Sequence, residues 1–287
     1  MPARILCSLL LAFPLAVHAQ MPPFAWDDGT VPYVNTPMEV VERMLVIGEV
    51  KAGDRVIDLG SGDGRIVIEA AKRGASGLGV DLDPGLVRLA TENAARAGVA
   101  QRARFEVRDI FDTDLSGATV ITMYLLPEFN AKLLDRFLGL APGTRIVSHD
   151  GGIADWPPDE TWLLRTPEKP VGADGSSRID LWIVPGDVAG EWASELPGHG
   201  GRWRFRVGQR YQMLDVEARV GGHELVVRNT RLRGEEVKLI VTGTVGARPW
   251  HHYFVGRAHG DAIDGTVTVS NGEREVVYPW HARRVRR

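Results

Sequence analysis

The sequence predicts an α/β domain with a mostly parallel sheet, followed by a small antiparallel β-barrel or sandwich. Three observations carry this expectation. Between residues 38 and 187 short apolar runs alternate with segments of helical period, the pattern that yields a parallel sheet with helices on both faces. Residues 188–201 are rich in Gly and Pro and break that pattern as a linker would. From residue 202 to 287 apolar side chains recur every second position, with Gly or Asn turns between the runs.

Taken in order, the chain opens on Arg4 and an apolar run from Ile5 to Val17, and the small-residue sequence VHA precedes Gln20. The run is shorter than the ~20 residues a membrane span needs, so residues 1–19 read as a cleaved export signal. A periplasmic location, and a mature chain without a transmembrane span, follow as expectations. Cys7 is the single cysteine and lies inside that run, so the mature chain is expected to hold neither disulfide nor thiolate-bound metal. Residues 20–37, with PPFAWDDGTVPYVNTP, form a Pro-rich polar arm. Val40, Val41, Met44, Leu45 and Ile47 then keep a helical period. RVIDLG is a strand, 65–73 a helix, GLGVD a strand, and 84–97 a helix opening with Pro at an early position. RARFEVRD and ATVITMYLL are strands, 128–138 a helix and GTRIVSHD a strand. TWLLRTPEK and SRIDLWIV follow with only a loop between them, a terminal hairpin. In the β domain Trp203, Phe205 and Val207 alternate with Arg202, Arg204 and Arg206, the first of about seven short strands.

Net charge is −3, with 44% hydrophobic and 25% charged residues, ordinary for a folded soluble chain and no signal for nucleic acid. The average hides a split. From Glu191 onward there are 16 Lys and Arg against 11 Asp and Glu, and before it 18 against 26.

The stretch VIDLGSGDGR asks what its turn holds. Asp58 ends a buried strand, and Gly60, Gly62 and Gly64, with Ser61 between the first two, let backbone amides approach a ligand closely. A dinucleotide turn wants Gly where Arg65 stands. Asp58 and Asp63 would repel a pyrophosphate and suit a ligand with an ammonium group, such as S-adenosylmethionine. Asp81, with Leu82 after it, ends the next strand and is placed for ribose hydroxyls. Asp109 follows the third strand and is placed for an adenine amino group, with Ile110 to pack on the ring. Acidic residues after three successive parallel strands share the carboxyl edge of the sheet, where open α/β sheets bind ligands.

With PYVNTPMEVVERML, GVDLDP, RDIF, VITMYLLPEFNAKL and PGTRIVSHD, the region from Pro32 to about Trp182 resembles a class I S-adenosylmethionine-dependent methyltransferase with a Rossmann-like sheet. More narrowly it resembles the ATP synthase c-subunit lysine methyltransferase group and its archaeal and bacterial relatives. The resemblance implies cofactor roles for Tyr33, Thr36 and Pro37 in the arm, and places the methyl group near MYLLPE. It implies N-methylation of a protein, on lysine. Export and the added β domain both depart from that group. A small-molecule or cell-envelope acceptor, or a binding protein that keeps the fold without turnover, are the alternatives.

At the acceptor, Tyr124 is a candidate to orient an amine and Glu128 to bind an ammonium on approach; strand-end packing and a helix-dipole carboxylate are the plainer readings. Ser148, His149 and Asp150 cannot form a hydrolytic triad, because consecutive strand residues point to opposite faces. The same argument, with no further ligand at metal spacing, disfavours metal at His251 and His252. The Arg202, Arg204 and Arg206 row is either a solvated face or a site for an acidic partner. The β domain is expected to recognise the target or such a partner.

Overall fold

The computed structural model describes residues 33–169, 175–196, 201–245 and 248–287. Residues 1–19, read above as an export signal, and most of the arm lie outside the described residues. One compact unit, Asn35–Arg287, holds both the parallel sheet and the β domain.

Helix α1 (Met38–Ile47) is followed by β1 (Arg55–Leu59), α2 (Arg65–Lys72), β2 (Ser76–Asp81), α3 (Pro84–Arg96) and β3 (Ala103–Val107). Then come β4 (Val120–Met123), α4 (Pro127–Leu138), β5 (Arg145–His149), β6 (Glu160–Arg165) and β7 (Ser176–Ile183). The sheet order is β3-β2-β1-β4-β5-β7-β6. The first five strands run parallel, while β7 pairs antiparallel with both β5 and β6. The expected terminal hairpin forms, with its second strand turned inward against β5.

The central strands are apolar on both faces, as a covered parallel sheet requires. Val56, Val120 and Val147 pack with Val41, Met44 and Ile66 of α1 and α2. Ile57, Ile121 and Ile146 pack on the other side with Leu133 and Phe137 of α4. There no helix joins β5 to β6. Residues 150–159 are irregular, with a turn in which the Trp156 N–H donates to the Ile153 carbonyl at 3.0 Å, and buried Trp156 takes the place of a helix against Trp182. Trp182 donates its indole N–H to the Trp156 carbonyl at 2.9 Å.

The β domain closes as a barrel of eight antiparallel strands: β8 (Gly190–Leu196), β9 (Gly201–Arg210), β10 (Met213–Val220), β11 (His223–Arg233), β12 (Glu236–Val245), β13 (Arg248–His259), β14 (Ala262–Ser270) and β15 (Glu275–Arg286). Strand β8 lies inside the stretch read as linker. Its alternation is real, with Trp192, Ser194 and Leu196 buried, but Gly190 and Pro197 at its ends disguise it. Paired with β9 and β15, it supplies the strand that closes the barrel instead of a tether. Trp203, Phe205, Phe254 and Trp280 fill the interior in tilted and edge-on contacts. The arginine row of β9 points outward and is interleaved with carboxylates: Arg202 faces Glu195 at 3.7 Å and Arg206 faces Glu217 at 3.9 Å.

Candidate functional site

The turn after β1 is anchored to β2. Gly60 and Ser61 both donate their backbone N–H to the Val80 carbonyl at 2.9 Å. Gly62 donates to Asp81 Oδ2 at 2.9 Å, and Asp83 donates to Oδ1 at 3.0 Å. Asp81 is thereby fixed, with lone pairs left on both oxygens. Gly64 enters α2 with φ of 83°, and a Cβ there would lie 2.6 Å from the Phe105 ring and 2.8 Å from Ala90, so only glycine fits. Gly60 has φ of 77°, and a Cβ there would lie 3.1 Å from Leu125, so this position too favours glycine.

Asp58 is buried and accepts from Thr122 Oγ1 at 2.7 Å. Burial raises its pKa to about 7, against the lowering by Thr122 and with a further rise from the Asp81 and Asp63 charges. Asp63 departs from its expected role. Its carboxylate is held by Arg65, through Nη2 at 2.6 Å and Nε at 2.9 Å, so it is already neutralised for any incoming ammonium. The same guanidinium donates through Nη1 to the Thr36 carbonyl at 2.6 Å, and Asn93 donates to the Asp63 carbonyl at 2.9 Å. Arg65 therefore joins the arm, the glycine turn and, through Asp63, helix α3. Sequence reasoning noticed Arg65 only as a missing glycine; its partner Thr36 lies 29 residues away.

Thr36 is buried and Pro37 half-buried directly before α1, while Tyr33 is exposed at the start of the described residues. Leu82 is exposed beside Asp81. Asp109 sits one residue beyond Arg108, which follows β3, and accepts from the Phe111 N–H at 2.8 Å, capping the short turn Ile110–Asp112. Ile110 is half-buried there. Arg136 of α4 donates to the Ile110 carbonyl at 3.1 Å and the Phe111 carbonyl at 2.7 Å, fixing this corner from behind.

At the acceptor end Tyr124 is half-buried, and its ring lies 4.0 Å from that of His149, tilted by 36°. Burial and the nearby Asp150 charge push the Tyr124 phenol up to about 12. His149 is fully buried, its Nε2 3.0 Å from Ser177 Oγ and 3.2 Å from Asp150 Oδ2. Burial lowers its pKa to about 4, which outweighs the pull of Asp150. Asp150 in turn holds Lys169 at 2.5 Å. Ser148 turns the other way, near Gly151 and Asn130, and no triad forms. Buried Ser61 Oγ, Asn130 Oδ1, Ser148 Oγ and His149 Nδ1 have no protein partner. Glu128 is exposed in the first turn of α4, away from this buried cluster. In the barrel His252 is buried against the Val241 carbonyl and His251 meets Thr242. Among the described residues no group of three or more His, Cys, Asp or Glu could hold a metal.

A β3-β2-β1-β4-β5-β7-β6 sheet, with its carboxylates along one edge and a glycine turn over β1, defines the methyltransferase class of α/β fold. Comparison sharpens this. The ANTKMT methyltransferase domain model matches residues 58–160. A protein-lysine N-methyltransferase of Saccharolobus islandicus is 45% identical over 133 residues, which span 45% of this chain and 83% of that protein. The ATP synthase c-subunit lysine N-methyltransferase of Mus musculus is 32% identical over 151 residues, 51% of this chain and 61% of the mouse protein, under two thirds of its length. An RNA methyltransferase of Salinibacter ruber, solved with S-adenosyl-L-homocysteine, is 44% identical and covers 54% of this chain and 96% of that one, with a TM-score of 0.48. The chain belongs to the ANTKMT methyltransferase family and is an S-adenosylmethionine-dependent methyltransferase. The family model stops at residue 160, before the barrel begins.

Proposed function

We propose that the chain transfers a methyl group from S-adenosylmethionine to a lysine amine of a protein. The observation that carries this reading is the 45% identity to a protein-lysine N-methyltransferase across 83% of its length. The geometry suits the cofactor. The orphaned Ser61 hydroxyl and the spare lone pairs of Asp58 and Asp81 offer polar groups where an amino-acid tail and a ribose need them.

In this reading Asp58 takes the ammonium of the tail, the 60–64 turn gives its backbone amides, Asp81 takes the ribose hydroxyls, and Asp109 with Ile110 holds the adenine. Thr36 and Pro37 close the site from the arm, braced by Arg65. Leu82 lies at its rim, and the family resemblance adds Tyr33. The bound cofactor supplies a methyl group on a sulfonium. The protein must align the amine, strip its water and let its proton leave. A lysine starts with a pKa near ~10.4, and an apolar wall favours the neutral form. Tyr124 stays protonated at neutral pH, so it acts as a hydrogen-bonding wall and not as a base. His149, kept neutral, supports that ring from behind. Glu128 draws in the ammonium from the exposed first turn of α4.

The test is to incubate the protein with methyl-labelled cofactor and protein extract of the source cells, then hydrolyse and separate the amino acids. Methylated lysine is expected. Label confined to small molecules overturns the reading in favour of a small-molecule or envelope acceptor. No label at all, with cofactor still bound, leaves a binding protein on a retired enzyme fold. We further propose that residues 1–19 export the chain to the periplasm, tested by fusing residues 1–25 to a reporter active only there.

A further inference from the structure

Strand β6 closes one side of the sheet and pairs with β7 alone, in a register that runs without a bulge from Glu160 opposite Leu181 to Arg165 opposite Ser176. Antiparallel strands turn the backbone groups of alternate residues to one neighbour and those of the rest to the other side. The phase is fixed at two points. Thr166 donates its N–H to the Gly175 carbonyl at 2.7 Å, in line with that register, so Glu160, Trp162 and Leu164 bond to β7. Asp150 donates to the Arg178 carbonyl at 2.8 Å, which turns Arg178 and Asp180 of β7 to β5 and leaves Ser177, Ile179 and Leu181 for β6. Thr161, Leu163 and Arg165 therefore aim their N–H and C=O groups out of the sheet.

The side chains of these three residues are exposed, and Leu163, at 75%, is the most exposed large apolar residue among the described ones. The opposite side of the sheet is guarded in the usual way. There β3 presents Arg104 and Glu106 to solvent, and Glu106 pairs with Arg108 at 2.8 Å. Strand β6 has no proline, bulge or central charge. Its start is held firm by the barrel, where Arg233 reaches Glu160 at 2.5 Å.

We propose that β6 pairs with β6 of a second copy of this chain, antiparallel about a two-fold axis through Leu163. The backbone selects that axis. With it, Leu163 meets the partner's Leu163 and Thr161 meets the partner's Arg165, and every outward N–H and C=O of the three residues is bonded. An axis through Trp162 would set Arg165 opposite Asp159, whose N–H is already given to the Leu181 carbonyl at 2.7 Å. An axis through Leu164 would set Thr161 opposite Pro167, which has no N–H to give. The side chains agree with the backbone. Leucine covers leucine on the solvent face, Trp162 lies beside the partner's Leu164 on the face of α1, and no like charges oppose each other.

The test is sedimentation velocity of the full chain from low micromolar to near-millimolar concentration. A reversible dimer is expected. Leu163→Lys and Leu163→Glu each place like charges on the axis and should weaken it by about tenfold or more. Mixing the two variants should restore pairing, because opposite charges then face each other across the axis. Calorimetric binding of S-adenosylmethionine should match the wild type in both, which confirms that they fold. A wild type that stays monomeric throughout overturns the proposal, even if a foreign extended segment binds at β6. So does a dimer indifferent to both substitutions, or one that the mixture fails to restore.

Discussion

The sheet's carboxyl edge and the barrel's interior are built on opposite terms. The edge is polar and under-filled: Ser61, Asn130, Ser148 and His149 each bury an atom without a protein partner, and Asp58 is buried with its pKa near 7. The barrel is packed with indole and phenyl rings, and the space left among Trp192, Phe205, Leu214 and Trp280 is about 20 Å³, room for little more than one water. Unsatisfied buried polar groups cost stability and persist where something else will meet them. Ser194 Oγ and Trp280 Nε1 are likewise buried without a partner in the barrel, but among the described residues the barrel buries no carboxylate, and the buried Asp58 is what supports the edge as the proposed ligand site.

Substitutions at each region should therefore separate stability from binding. The largest effect is expected in the barrel. Trp280→Ala removes a fully buried indole and should cost about 3–5 kcal/mol of stability, read by denaturant melts, with cofactor affinity unchanged in the folded fraction. A matching loss of affinity would break the division. Asp81→Ala should do the reverse. It removes a carboxylate that anchors Gly62 and Asp83, and cofactor affinity should fall by about a hundredfold in a calorimetric titration, while the barrel's near-ultraviolet signal stays intact. Gly64→Ala sits between these: a strained φ and a collision with Phe105 should cost about 1–3 kcal/mol, with weaker cofactor binding as the turn shifts.

The pH dependence follows from Asp58. Its carboxyl, raised to about 7 by burial and by the Asp81 and Asp63 charges, must be ionised to hold an ammonium. Cofactor affinity should then rise with pH below 7, by about tenfold per unit at the limit, and level off above it. Stability of the free protein should show the opposite sign. The folded state holds this proton where the unfolded carboxyl has lost it, so Asp58 makes the protein less stable as pH climbs from about 4 to 7. Asp58→Asn should flatten both curves, and curves unchanged by it would contradict the assignment. The smallest effect is expected at Arg65. Arg65→Met cuts the link from Asp63 to Thr36 and should weaken cofactor binding by about tenfold or less, with faster hydrogen exchange confined to residues 36–41.

What the sequence made legible was local. The glycine turn, the acidic residue at or near the end of each of the first three strands and the apolar period of α1 are each set by neighbours a few positions apart, and period and turn chemistry reach that far. What it hid was long-range. Arg65 looks like a lapse in a glycine pattern until Thr36 stands beside it. Asp63 looks like a ligand carboxylate until Arg65 takes it. Trp156 sits in a segment with no period, because it replaces a helix by filling its volume. Strand β8 was masked by the turn-forming residues at its ends, although Trp192 and Leu196 already alternate inward. The seam between the domains rests on Gln212 and Tyr211, two turn residues that carry no signal in one dimension.

The most direct test of the central claim, a live cofactor site at the sheet edge that works independently of the barrel interior, is a calorimetric titration of S-adenosylmethionine into the wild-type chain, Asp81→Ala and Trp280→Ala. Micromolar binding by the wild type and by folded Trp280→Ala, lost in Asp81→Ala, is the predicted result. No binding by the wild type at millimolar cofactor, or binding indifferent to Asp81, would contradict it.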